Sequence, residues 1–120
     1  MEERTFDNLE DRLNFISFRQ ELLFRKDEVN EILFENQVSR DEYHRIMDLM
    51  DSYRDRLAQG QKVNHGEFES EIYSIVPHLN GDYHFCEMLT KAFCDDSRWD
   101  EVFPALYGGL AKYKSGSNVQ

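Results

Sequence analysis

The stretch FDNLEDRLNFISFRQELLF, residues 6–24, sets Phe6, Leu9, Leu13, Ile16, Gln20 and Leu23 at alternating steps of three and four. That is the heptad spacing of a helix seam, and a seam asks for a partner helix. A long amphipathic helix packed on its own domain shows much the same spacing, so these side chains have two destinations, their own core or a second chain. Strict spacing over about three heptads, with polar Gln20 at one seam position, favours the second and gives Gln20 a part in setting register. Dimer and trimer both stay open, because no clean β-branched pattern separates the two kinds of seam position.

Outward from this stretch, Thr5 or Asp7 is the expected cap of helix 1, which continues to about Phe24 or Arg25. Asp27 caps a short second helix with Val29, Ile32 and Leu33 on one face, closing near Asn36, a residue that tolerates the left-handed conformation. Ser39 followed three residues later by Glu42 is a capping box, and behind it Tyr43, Ile46, Met50, Tyr53 and Leu57 keep the helical period until Gly60 stops helix 3. Asp41 and Arg45 are spaced to pair on its outer face. Asn64 with Glu67 opens a fourth helix, whose stripe of Phe68, Ile72, Ile75 and Val76 ends at Pro77.

After a turn at 78–82, a fifth helix is expected from about Asp82 to Cys94, with Phe85 or Cys86, Leu89 and Phe93 inward. Ser97 is the expected cap of a sixth, carrying Trp99, Val102, Phe103, Leu106, Leu110 and Tyr113. Pro104 and Gly108-Gly109 conflict with a long helix there and predict a kink or an early end. No segment has sustained period-two alternation, so the expected fold is all-α, a small bundle of five or six helices with a coiled-coil-like helix at its N-terminus. One domain spans residues 1–114, and 115–120 form a frayed tail. Leu9, Leu13, Ile16, Leu33, Ile46, Met50, Leu57, Phe68, Ile72, Leu89, Phe93, Val102, Phe103 and Leu106 are expected to supply the apolar contacts.

Twenty-four acidic residues against 14 Lys and Arg give the chain a net charge of −10. Such a field repels nucleic acid and anionic membrane, whose binding depends on basic side chains. No apolar run approaches the roughly 20 residues that span a bilayer, and the chain opens Met-Glu-Glu-Arg, so a soluble, unsecreted, cytoplasmic protein is expected. Cys86 and Cys94 lie eight apart on one helix, about 12 Å along its axis, too far for a bridge, and fit reduced thiols.

His84, Cys86, Cys94, His65 and His78 are metal-ligand types, but His84 and Cys86 point to different sides of a helix and no close pair sits on a turn. No metal or cofactor is therefore expected, and no phosphate loop, nucleophile elbow or zinc-protease helix is present. The sequence points to a non-catalytic protein-protein interaction module, a homo-oligomeric adaptor or regulator whose oligomer interface is Phe6, Leu9, Leu13, Ile16, Gln20 and Leu23. An alternative is an acidic inhibitor of the phage type that imitates nucleic-acid charge and blocks a basic protein. Its surface would be Glu28, Glu31 and Glu35 on helix 2 with Asp48, Asp51 and Asp55 on helix 3. A third possibility is an enzyme using acids and His84.

The N-terminal coiled-coil-like helix, the short apolar helix, the segment Val38-Ser39-Arg40-Asp41-Glu42 that opens a long helix, and the closing pattern through Trp99, Val102, Phe103 and Lys112 together resemble the YhaI-like domain-of-unknown-function family of Gram-positive bacteria. The resemblance spans roughly residues 9 to 113 and rests on apolar pattern. It implies an all-helical, oligomeric fold with no assigned activity, hence no functional residues to carry over. Pro104 and Gly108-Gly109 depart from that pattern.

Overall fold

The computed structural model describes residues 4–110, and among these the chain forms six α-helices and no strand. In order they are α1 (Leu9–Phe24), α2 (Glu28–Glu35), α3 (Arg40–Ala58), α4 (His65–Ile75), a 3-10 turn at Pro77–Leu79, α5 (Phe85–Asp95) and α6 (Val102–Tyr107). None is long and apolar enough to cross a membrane. The expected tail at 115–120, with Lys112 and Tyr113, lies outside the described residues.

Local chemistry fixes most helix starts. Asn8, rather than Thr5 or Asp7, caps α1, its Oδ1 accepting from Asp11 N at 2.8 Å. Asp27 and Asn64 cap α2 and α4 in the same way, each over 2.8 Å. The capping box of α3 is complete: Glu42 N donates to Ser39 Oγ and Ser39 N to Glu42 Oε1. Each cap satisfies a backbone donor that the helix itself leaves unpaired.

Three helices close on a left-handed residue whose successor's N–H reaches back to the last turn. Gly60 (φ 76°) does this for α3, with Gln61 N on Arg56 O. Gln37 (φ 53°), not Asn36, does it for α2, with Val38 N on Leu33 O. Ser97 (φ 60°) does it for α5, with Arg98 N on Phe93 O, and so is not the cap of a sixth helix. The last helix therefore starts late, at Val102, and Pro104 falls in its first turn, where a missing N–H costs nothing. Of the expected kink or early end the helix takes the early end, stopping at Tyr107 before Gly108-Gly109.

The core joins all six helices, through Phe18 and Leu22 of α1, Val29, Ile32 and Leu33 of α2, Ile46, Met50 and Tyr53 of α3, Phe68 and Ile72 of α4, Leu89 and Phe93 of α5, and Val102 and Leu106 of α6. Leu57 and Phe103 pack against its edge. Helix α1 departs from the expected contacts. Leu9, Leu13 and Ile16 were expected among the apolar contacts, yet they face outward, and Phe15, Phe18 and Leu22 hold the inner side.

Two buried tyrosines tie α4 to its neighbours. Tyr53 of α3 donates to Glu71, and Tyr107 of α6 donates to Glu69 Oε2 at 2.7 Å. Burial first, and then the facing carboxylate, pushes both phenols well above their usual range near 10. Burial pushes the Cys86 thiol up to about 12.

These groups fold in their neutral forms, whereas in the unfolded chain the thiol ionises near 8.5 and the phenols near 10. The stability they confer is thus whole below about pH 8.5 and lost as pH rises toward their folded values. Urea titrations are expected to give a constant midpoint from pH 6 to 8 and a falling one above pH 9. Tyr107→Phe should cost about 1–2 kcal/mol at pH 7 and flatten the alkaline fall. An alkaline limb unchanged by that substitution would refute the assignment. The two glycines after α6 should also part company. A Cβ on Gly108 would meet Pro104 O at 2.5 Å, while one on Gly109 meets nothing within 4 Å. Gly108→Ala is expected to destabilise by about 1–2 kcal/mol and Gly109→Ala to be neutral, read by thermal melts.

Candidate interaction surface

Helix α1 carries two apolar stripes. At 100° per residue, Leu9, Leu13, Ile16, Gln20 and Leu23 cluster along one line, and Phe15, Phe18 and Leu22 run along nearly the opposite one. The second is buried, each side chain 5–6% exposed. Along the first, Leu9 is 69%, Leu13 56%, Ile16 43% and Leu23 55% exposed, with Gln20 also exposed and Phe24 beside them at 94%. Scattered surface leucines need no explanation, but a row of them along a helix does.

Three arginines determine which stripe turns inward. Arg19 donates to Phe34 O at 2.8 Å and lies 3.8 Å over the Phe34 ring and 5.3 Å over Phe15, fastening α1 to α2. Arg40 of α3 reaches Asn14 Oδ1 through Nε at 3.0 Å and pairs through both terminal guanidinium nitrogens with Glu21, while stacking 5.1 Å over Phe18. The hydrogen bond from Arg40 holds the Glu21 carboxyl below its ordinary value. Arg4 fixes the chain ahead of α1, by Nη1 and Nη2 to the two oxygens of Glu42 at 2.6 and 3.0 Å and by its backbone N to Gln37 Oε1 at 2.7 Å.

Arg4 also settles Phe6. Residues 4–7 are not helical, so the heptad register does not extend to Phe6, whose ring lies 4.9 Å from Phe15 and under the Arg4 guanidinium. Phe6 belongs to the inner face. The other five residues expected at the interface form the outer row.

Two concavities flank α1, the first touching the outer row at Leu23 and the second lying on the inner side. A groove of about 270 Å³ at the C-terminal end of α1 is lined by Leu22, Leu23, Lys26, Asp27, Asn30, Glu31 and Phe34. A wider one of about 740 Å³ runs from Phe18, Leu22, Arg25 and Lys26 to Tyr43, Asp96 and Arg98. Arg98 is held there by Tyr43 Oη, to which it donates at 2.6 Å, and by the rings of Phe93 and Trp99 at 5.0 and 5.3 Å. It sits between two left-handed residues, Ser97 and Trp99 (φ 49°). No sequence signal marked this cage, because its members come from α3, α5 and the following loop.

The acidic residues singled out by sequence, Glu28, Glu31, Glu35, Asp48, Asp51 and Asp55, are all exposed. The two rows stand on helices with different main neighbours, since α2 packs on α1 and α5 while α3 packs on α1, α4 and α6. Asp51 accepts the Trp99 indole N–H at 2.7 Å. Asp27 and Glu28 also meet Asp95 and Asp96 across a notch of about 120 Å³ between α2 and α5.

The residues of possible chemistry do not converge. His84 is exposed at the start of α5, with its backbone N on Asp82 Oδ1 at 3.0 Å. Burial raises both thiols, Cys86 most, which keeps them from the thiolate form a nucleophile needs. Among the described residues no three His, Cys, Asp or Glu side chains are grouped so as to hold a metal ion. Comparisons with family models, with curated proteins and with solved structures find no match to this chain.

Proposed function

We propose that this protein is a non-catalytic interaction module that self-associates through the outer face of α1. One observation carries the reading: a row of four aliphatic side chains, 43–69% exposed, on a helix whose opposite face is already committed to its own domain. Keeping such a row in water is unfavourable by roughly 25 cal/mol for each Å² of apolar surface left uncovered, so a covering helix is stabilising. The module acts in the cytoplasm, where Cys86 and Cys94, both unpaired, persist as thiols.

A second reading rests on the six exposed carboxylates of α2 and α3, which suit a basic nucleic-acid-binding partner. Capture of that kind weakens steeply with added salt, because exposed charges are screened within about 10 Å at 0.1 M. Self-association through leucines does not.

Light scattering on the intact chain at micromolar concentration should give a multiple of 14.3 kDa. Leu13→Asp with Ile16→Asp should return it to 14.3 kDa with an unchanged circular dichroism spectrum, since neither side chain belongs to the core. A wild-type chain that scatters as a monomer refutes the proposal.

A further inference from the structure

Resting on the self-association proposed above, we infer that two copies pair their α1 helices antiparallel, about a two-fold axis beside Ile16. The outer row is nearly unchanged by reversal around that residue. At 1.5 Å per residue Leu9 and Leu23 lie about 10.5 Å on either side of Ile16, and Leu13 and Gln20 about 4.5 and 6 Å. A reversed copy therefore sets Leu9 against Leu23, Leu13 against Gln20, and Ile16 against its own counterpart.

Charge selects this orientation over the parallel one. Residues 5–12 hold Asp7, Glu10 and Asp11 against one arginine, whereas residues 19–26 hold Arg19, Arg25 and Lys26 against one glutamate. Antiparallel pairing lays the acidic end of each helix along the basic end of the other, and opposes their dipoles; parallel pairing sets like ends together.

The groove at the basic end completes the fit. Leu23, Phe34 and Lys26 lie at the level where the N-terminal turn of the reversed copy arrives. Leu9 of that copy thus meets Leu23 beside an apolar recess formed with Leu22 and Phe34, whose rim carries Lys26 together with Asp27 and Glu31. An interface of this kind is the same patch on both chains, so it closes at two copies and does not propagate.

Disulfide trapping tests the arrangement, in a Cys94→Ser background so that the partly exposed native thiol does not interfere. Leu9→Cys and Leu23→Cys chains are refolded separately and together, then oxidised mildly. Antiparallel pairing places two residues 9 about 21 Å apart along the axis, beyond any disulfide, but residue 9 of one chain beside residue 23 of the other. The expected result is covalent dimer in the mixture and none in either variant alone. Self-linking by Leu9→Cys alone overturns the proposal in favour of parallel helices. A dimer by light scattering with no cross-link in the mixture, or a trimer, also overturns it and leaves self-association standing. A monomer at micromolar concentration removes both.

Discussion

The way this molecule presents itself depends on how one helix is held. Phe15, Phe18 and Leu22 of α1 go inward, and the guanidinium groups of Arg19 and Arg40 cross from one helix to another to keep them there, each hydrogen-bonding a polar atom while lying over a ring. Such contacts combine direction with dispersion, and they leave α1 little rotational freedom about its own axis. With the aromatic side fixed, the leucine row on the far side has nowhere to go but out.

The N-terminal anchor reinforces the same constraint from a second direction. Glu42 is a capping residue of α3 and at 7% exposure nearly out of water, yet its carboxylate is satisfied by Ser39 N and by both terminal nitrogens of Arg4. A buried carboxylate tolerates that position only when its acceptor sites are filled. The capping box thus does two jobs, starting α3 and mooring the strand of chain that carries Phe6 onto Phe15.

Much of this was legible in the sequence, and for a physical reason: capping is local. Asp27, Ser39 with Glu42, and Asn64 act within three residues of themselves, so their spacing announces them. The same locality failed at Ser97, since serine suits a helix start while here it closes α5 in a left-handed turn, the choice being made by Phe93 O and Cys94 O waiting for donors. The outer row of α1 was legible as a row. Its direction was not, because two apolar stripes on opposite sides of a helix carry the same period, and contacts from elsewhere in the chain, such as Arg40, 19 residues beyond its partner Glu21, decide which is covered. The cage around Arg98 was illegible altogether, being assembled from Tyr43, Phe93 and Trp99.

The central claim is that the leucine row of α1 is covered by a second copy in solution. Hydroxyl-radical footprinting of the intact chain across a dilution series measures that cover side chain by side chain, with Tyr83 and Met88, exposed elsewhere at 81% and 42%, as internal references. Modification of Leu9, Leu13, Ile16 and Leu23 should fall relative to those references as concentration rises and recover on dilution. Labelling of the row that tracks Tyr83 and Met88 at every concentration would contradict the account.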